Sequence, residues 1–257
     1  MTTLLRQNSE LRSSRIWNWS LPAATTTLPD GRHINVCPAA DACVRLCYAR
    51  VNSYRFSTVV AAHQRNLIYV LDELDLWEVE MTKELLSKRF RPSGEPRSDL
   101  LHPFLDPYLR QWAADGGVAV RIHDAGDFFS DPYTSAWLRI AARTPDVLFY
   151  AYTKEVSRFR EIVEPVAPPN FRWLFSYGGK QDHLIDPIRD RHADVFPTLE
   201  ALTAAGYTDQ ASSDLLAVTA PTNLIGIVAN NVPQLRRRQG DSTFRDTQAQ
   251  RKVRVTE

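Results

Sequence analysis

The chain has 257 residues, of which 44% are hydrophobic and 24% are charged, and its formal net charge is +1. This composition is ordinary for a soluble globular protein, and it excludes a disordered chain, a collagen-like repeat and a disulfide-stapled miniprotein. The near-zero net charge gives no general attraction to nucleic acid or to a membrane surface. The length allows one or two domains, including a single α/β barrel.

Positive charge is concentrated towards the end of the chain. Residues 231–257 contain seven Lys or Arg against three acids, including the run Arg236-Arg237-Arg238. We therefore divide the chain into a single domain over residues 1–230 and a basic C-terminal tail over residues 231–257. Such a tail is a candidate contact for nucleic acid or a partner protein, and a solvated terminus is the plainer alternative.

The sequence predicts neither a signal peptide nor a membrane span. The first fifteen residues lack an apolar segment. Residues 215–235 are uncharged, but their two prolines and three asparagines are costly in a lipid-facing helix, so we expect two short buried strands there. We expect a cytoplasmic protein without membrane association, in a reducing setting where clustered cysteines favour metal over disulfide.

Apolar runs alternate with helical patterns along most of the chain. Short β-type runs occupy residues 16–21 and 34–36, and helical periodicity covers residues 44–89 with a break before Ser57. Strands are then predicted at residues 118–122, 147–152, 171–175, 215–218 and 224–229, with helices at residues 106–114, 132–143, 156–166 and across 183–205. This alternation predicts an α/β fold with βαβ units, specifically a partial TIM-like barrel of parallel strands.

Most of these apolar runs end in polar residues with chemical potential. His123 and Asp124 follow one run, and Lys154, Ser176 and Asn230 end others. In α/β barrels the carboxyl ends of the strands carry the chemistry, so we predict a site at that rim. The alternative is that these residues are polar only because loops are polar.

The cysteines of the chain are Cys37, Cys43 and Cys47, within eleven residues of one another. Cys43 and Cys47 are one turn apart on a predicted helix, and Cys37 lies in the preceding loop. The helix N-terminus is expected to lower the pKa of these thiols, and thiolates are metal ligands. The set predicts an iron–sulfur cluster, 4Fe–4S or 3Fe–4S, at the carboxyl rim. The alternatives are zinc, with His33 or His123 as the fourth ligand, and three unrelated thiols.

Residues 123–129, His-Asp-Ala-Gly-Asp-Phe-Phe, are the densest candidate string. A histidine and two carboxylates at a strand end can act as acid and base, bind metal or hold an amine. The predicted catalytic residues are His123, Asp124, Asp127 and Lys154. The predicted cofactor-binding residues are Gly126, Asp127, Ser176 and Asn230. For Asp127 the alternative is a helix cap, and Gly126 permits a tight turn or close ligand approach.

A weaker candidate is the string Tyr177-Gly178-Gly179-Lys180. Its backbone N–H groups are predicted to cradle a carboxylate or a phosphate.

Three motifs carry a family resemblance: residues 37–50 with the cysteines, residues 121–130 (Arg-Ile-His-Asp-Ala-Gly-Asp-Phe-Phe-Ser) and residues 149–154 (Phe-Tyr-Ala-Tyr-Thr-Lys). Together they resemble the actinobacteriophage family called gene product 88, over roughly residues 30–180. The resemblance implies a phage origin and a location in the host cytoplasm.

The layout more distantly resembles the radical S-adenosylmethionine superfamily. That resemblance implies a cluster on Cys37, Cys43 and Cys47, and a contact of the Gly126-Asp127 region with the methionine amine of S-adenosylmethionine. The sequence departs from that superfamily in its Cx5Cx3C spacing, in the aromatic residue after the third cysteine and in the lack of a Gly-Gly-Glu string.

Two hypotheses follow. The first is an iron–sulfur protein whose cluster faces a small-molecule pocket and, if it is an enzyme, supplies redox or Lewis-acid chemistry. The second is a non-catalytic binding or regulatory protein that uses an iron–sulfur or zinc site as a fold staple or redox sensor. In the second case the basic tail would contact a host protein or nucleic acid.

Overall fold

The computed structural model describes residues 3–229 and 232–256, apart from the side chains of residues 9, 10 and 252–256. The strands are β1 (Ile16–Trp19), β2 (Thr25–Thr27), β3 (His33–Asn35), β4 (Val118–Ile122), β5 (Val147–Thr153), β6 (Phe171–Ser176), β7 (His192–Phe196), β8 (Thr208–Asp209) and β9 (Leu224–Val228). The helices are α1 (Ser9–Ser13), α2 (Ala42–Leu46), α3 (Ser57–Asp72), α4 (Leu74–Leu85), α5 (Pro107–Ala114), α6 (Asp131–Arg143), α7 (Val156–Arg158), α8 (Leu199–Ala204), α9 (Leu216–Thr219), α10 (Pro233–Gln239) and α11 (Phe244–Thr256).

The main sheet of the described residues has seven parallel strands in the order β1-β4-β5-β6-β7-β9-β8. It is curled into a half-barrel, with β1 and β8 as its edges. A closed barrel needs its first and last strands to pair. The α/β class with parallel strands is therefore confirmed, whereas the TIM-like closure is not.

The central strands are buried on both faces, which explains their nearly continuous apolar sequences. Along β5, Phe149 and Ala151 belong to the core on one face, whereas Leu148 and Tyr150 belong to the core on the other. This alternation is the two-residue period of a strand. The first core contains Trp137 of α6, and it therefore fixes the helix layer against the sheet.

Two predicted elements were wrong, and a third was predicted correctly but pairs outside the main sheet. Residues 192–196, expected to be helical, form β7, because the buried polar side chains of His192 and Asp194 hide the strand pattern. Residues 215–218, expected to be a strand, lie largely in α9, since a short apolar run does not distinguish the two states. The β-type run predicted at residues 34–36 does overlap β3, which pairs with β2 in a separate antiparallel hairpin.

The C-terminal segment packs on the helix that carries Cys43. Gln248 of α11 is 2% exposed, and its side chain accepts a hydrogen bond from the Ala42 N–H (2.9 Å) and donates one to Asp41 (2.9 Å). Arg251 pairs with the same Asp41 carboxylate at 2.8 Å. The described part of the predicted tail thus contacts α2 directly.

None of the helices in the described ranges is long and apolar enough to cross a membrane.

Candidate functional site

A large pocket opens where the parallel strands end. It has a volume of about 990 Å³, and His123, Lys154 and Ser176 follow or end three neighbouring strands along its wall. All three cysteines line the same pocket, together with Asp124, Gly126 and Asp127. The structure therefore brings nine of the ten predicted site residues to one place. Asn230 lies outside the described residues.

The three thiols are partly buried and are supplied by two adjoining segments. Cys37 lies in the loop after β3, and its Sγ accepts a hydrogen bond from the Ala24 N–H at 3.3 Å. Cys43 lies in α2, and Cys47 follows the last residue of that short helix. Within residues 3–229 and 232–256, no group of three or more His, Cys, Asp or Glu side chains is arranged to hold a single metal ion.

The expected lowering of the thiol pKa values does not occur. Burial raises the pKa of Cys37, Cys43 and Cys47, the last to about 11. The nearby ammonium of Lys154 opposes this rise at Cys43 and Cys47. A neutral thiol is thus favoured until a cation arrives to replace its proton.

The Gly178-Gly179 turn holds the cysteine segment in place. The Gly178 carbonyl accepts hydrogen bonds from the N–H groups of Asp41 (3.3 Å) and Cys43 (3.0 Å). The two glycine N–H groups each donate to the Asp182 carboxylate at 2.8 Å. The turn does cradle a carboxylate, as its sequence predicts, and that carboxylate is supplied by the chain itself.

Lys154 donates all of its ammonium protons to neighbouring oxygens. Its Nζ lies 2.9 Å from Ser176 Oγ, 3.0 Å from the Ser176 carbonyl and 2.9 Å from the Tyr177 carbonyl. An ammonium group has three donors, so the group is saturated. Lys154 therefore acts here as a fixed positive charge beside the thiols.

Asp127 is buried and ties the end of β5 to its own turn. Its carboxylate accepts hydrogen bonds from the Phe128 N–H (2.8 Å), the Thr153 hydroxyl (2.7 Å) and the Lys154 N–H (3.0 Å). Burial raises the pKa of Asp127, and these hydrogen bonds oppose the rise. These contacts position Lys154. The alternative role for Asp127, a cap at the start of the following helix, is not observed, because Ser130 holds the N-cap position.

Gly126 makes the tight turn that the sequence suggested. Its φ is +91°, and a Cβ at this position would lie 2.7 Å from the Cβ of Leu21. The glycine is therefore required by the neighbouring loop as well as by its backbone conformation.

His123 lies directly after β4 with a φ of +67°, an uncommon conformation for a residue other than glycine. Trp19 Nε1 donates to the Tyr133 hydroxyl at 2.9 Å, and that hydroxyl lies 2.8 Å from His123 Nε2. The other ring nitrogen, Nδ1, is buried and has no partner among the described residues. Burial lowers the pKa of His123 to about 3, so the ring is neutral at physiological pH.

Asp124 is held by two tyrosines on the opposite wall of the pocket. The Tyr48 hydroxyl donates to its backbone carbonyl at 2.5 Å, and the Tyr54 hydroxyl donates to its Oδ2. Burial, and then the negative charge of Asp124, raises the pKa of both phenols. Both hydroxyls therefore remain protonated donors.

A partly buried ion pair between Arg121 and Asp214 was missed by the sequence analysis. Its nitrogen and oxygen lie 3.1 Å apart, and the guanidinium carbon stands 5.2 Å from the centroid of the Tyr152 ring. The Tyr150 hydroxyl also donates to Asp214. The polar residue inside the apolar strand at position 121 was the available signal, whereas Asp214 is distant in sequence and gave none.

The fold and the pocket define the class of protein: a parallel α/β half-barrel with its candidate site at the carboxyl ends of the strands. The family model described as "Gene product 88" matches residues 2–256. The chain therefore belongs to the gene product 88 family, and the resemblance carried by the three motifs is confirmed.

Two curated relatives are phage proteins. The "Gene 88 protein" of Mycobacterium phage L5 is 30% identical over 130 residues, covering 49% of this chain and 46% of the relative. The protein of the same name from Mycobacterium phage D29 is 29% identical over 130 residues, covering 49% of this chain and 45% of the relative. The chain thus matches about half the length of each. No solved structure matches, and the radical S-adenosylmethionine resemblance has no support among these comparisons.

Proposed function

We propose that this protein binds an iron–sulfur cluster through Cys37, Cys43 and Cys47, and that the cluster faces the pocket at the carboxyl ends of the strands. The observation that carries the proposal is that three cysteines, the chain's full complement, line one pocket. In a chain so poor in cysteine, such convergence favours a shared ligand over three separate packing roles. A reducing compartment such as the host cytoplasm would keep the thiols available.

The surroundings of the thiols suit an anionic cluster. The saturated ammonium of Lys154 supplies a fixed positive charge near Cys43 and Cys47. The Gly178 turn packs closely against the cysteine segment, because a Cβ at Gly178 would lie 3.3 Å from the Cβ of Cys43. Hydrogen bonds, net charge and solvent exposure are the features by which proteins tune such clusters.

A cluster and a single zinc ion make different demands on the three thiols. Zinc requires four ligands, each at ~2.0–2.3 Å from one centre. In a cubane cluster each thiolate binds a different iron atom, so the thiolates stand farther apart. Among the described residues, no group of three or more His, Cys, Asp or Glu side chains is arranged to hold a metal ion, so the choice between cluster and zinc rests on the metal and sulfide content of the protein.

The pocket is larger than a cluster alone requires. Its volume of about 990 Å³ is at the upper end of typical small-molecule sites. With three cysteines as ligands, a 4Fe–4S cluster keeps one iron for another ligand, and it then supplies electron transfer or Lewis acidity. Asp124, Arg121 and Tyr54 line the pocket and provide the polar contacts that orient a bound small molecule.

The cluster is tested by anaerobic reconstitution of single Cys→Ser variants. The wild-type protein is expected to develop broad visible absorption and to bind iron and sulfide, and each Cys→Ser variant is expected to lose most of both. Tyr54→Phe is the matched control, because it lies in the same pocket and leaves every thiol in place. Cysteine variants that retain the full iron and sulfide content of the wild type would overturn the proposal.

The non-catalytic alternative is favoured by one observation: the cysteine segment is a junction of the fold. Asp41 and Ala42 contact the C-terminal helix, and Asp41 and Cys43 contact the Gly178 turn. A cluster here would staple three segments together. Incubation of the cluster-loaded protein with S-adenosylmethionine and a reductant separates the two functions. Release of methionine and a deoxyadenosyl product indicates an enzyme. Uncleaved S-adenosylmethionine, together with a higher free energy of unfolding for the loaded protein than for the unloaded protein, indicates a staple.

A further inference from the structure

A second cavity, of about 540 Å³, shares no lining residue with the cysteine pocket and has no part in the cluster proposal. Arg172 lies near the start of β6, and Arg191 directly precedes β7, so the cavity adjoins the amino-terminal ends of these strands. Thr219 and Ala220, at the end of α9, form another part of its wall.

Arginines dominate the polar lining of this cavity. Its charged residues are Arg160, Arg172, Arg189, Arg191, Asp106, Glu164 and Asp190. The four arginines exceed the three acids by one positive charge. Arg160 pairs with both Glu164 and Asp190, and Arg189 pairs with Asp190 at 3.4 Å. Glu164 and Asp190 are therefore already paired with Arg160 and Arg189.

The remaining pair, Arg172 and Arg191, has unused capacity for an anion. Arg172 contacts Asp106 at 2.8 Å, but its buried Nε has no hydrogen-bond partner among the described residues. Arg191 donates to the neutral carbonyls of Ala217 (3.1 Å) and Ala220 (2.6 Å). Burial, and then repulsion from Arg172, lowers the pKa of Arg191 to about 10.

The neighbouring side chains add an apolar surface. Phe104 is 80% exposed, and Trp173 is half-buried at the same cavity. Guanidinium groups bind phosphate through paired N–H donors, and an aromatic ring beside them accommodates a planar body. A phosphate also relieves the repulsion between two like charges.

We propose that this cavity binds a small organic phosphate, with the phosphate group between Arg172 and Arg191 and the apolar body against Phe104 and Trp173. The site is separate from the cysteine pocket, so its occupancy does not depend on the iron–sulfur cluster.

The proposal is tested by calorimetric titration of the full-length protein with phenyl phosphate, inorganic phosphate and benzyl alcohol. Phenyl phosphate is expected to bind most tightly, inorganic phosphate more weakly, and benzyl alcohol not measurably. Arg172→Gln and Arg191→Gln are each expected to weaken phenyl phosphate binding by about ten-fold or more, because each removes a charged donor. Arg191→Lys keeps the positive charge but lacks the paired N–H donors of a guanidinium. It is expected to bind phenyl phosphate more tightly than Arg191→Gln and more weakly than the wild type.

Arg143→Gln is the matched control, because its side chain is 54% exposed, pairs with Glu78 and does not line this cavity. It is expected to change the affinity by less than about two-fold. Circular dichroism confirms that each variant is folded before titration. The proposal is overturned if folded wild-type protein gives no saturable binding of phenyl phosphate, or if Arg172→Gln and Arg191→Gln bind it as tightly as Arg143→Gln does.

Discussion

At the scale of single residues, the polar groups beside the thiols are held by neighbouring protein groups. Lys154 donates to three oxygens, and the Asp127 carboxylate accepts three hydrogen bonds. The sequence identified these residues correctly as neighbours of the cysteines, because both follow strands of a parallel sheet. Their bonding could not be predicted, because it depends on carbonyls and N–H groups brought close only by the fold.

Gly126 supports a stability prediction. Gly126→Ala places a Cβ 2.7 Å from the Leu21 Cβ at a φ of +91°, whereas Gly206→Ala, at a φ of +76°, meets no atom within 4 Å. We expect Gly126→Ala to lower the free energy of unfolding by about 1–3 kcal/mol more than Gly206→Ala does. Urea denaturation measures both values, and equal losses would contradict the packing argument.

Glu155 supports a prediction about pH. Burial, and then the charge of Asp127, raises the pKa of Glu155 to about 7. The folded protein therefore holds this proton up to about pH 7, whereas the unfolded chain releases it near its ordinary pKa of 4.5. The contribution of Glu155 to stability is full below pH 4.5 and is lost as the pH rises to about 7.

Glu155→Gln is expected to flatten the fall in stability between pH 4.5 and 7 by an amount on the order of 2 kcal/mol. Urea unfolding across that range measures the effect, with the exposed Glu161→Gln as the control. A wild-type profile parallel to that of Glu155→Gln would show that this carboxyl does not cause the pH dependence.

At the scale of elements, the short helix α2 depends on its neighbours. Five residues form too short a helix to be stable alone, and the Gly178 turn and α11 supply bonds at its start. The sequence predicted a helix at the cysteines but not its support, because Gln248 is separated from Ala42 by 206 positions. Strands β4, β5, β6 and β9 were predicted because their sequences are mostly apolar.

The contact between α11 and α2 yields a third prediction. Gln248→Ala leaves the Ala42 N–H and an Asp41 oxygen without their partner, so we expect a loss of about 1–3 kcal/mol and faster hydrogen exchange at Ala42. Gln250→Ala, at an exposed position on the same helix, is the control. Unchanged exchange at Ala42 in Gln248→Ala would exclude this helix as a support of the cysteine segment.

At the scale of the whole molecule, the half-barrel is bridged across its pocket. Arg121 belongs to β4, and Asp214 lies 93 positions later, just before α9. The sequence predicted the α/β class and the rim that carries the pocket. It predicted a partial TIM-like barrel but not which strands form the open edges, because edge pairing does not depend on any local pattern.

The ion pair across the pocket supports a fourth prediction. Asp214→Asn leaves the partly buried guanidinium of Arg121 without its nearest carboxylate, and we expect a loss of about 1–3 kcal/mol in the free energy of unfolding. Asp241→Asn, on the exposed surface, is expected to change it by less than about 0.5 kcal/mol. Chemical denaturation tests both variants, and similar stabilities would contradict a bridging role.

The most direct test of the central claim is the iron, acid-labile sulfide and zinc content of the anaerobically purified wild-type protein, measured together with its visible spectrum. We predict a brown protein that contains iron and sulfide in near-equal amounts at three to four atoms per chain, on the order expected for one cluster. A colourless, folded protein with one zinc per chain and no sulfide would contradict it.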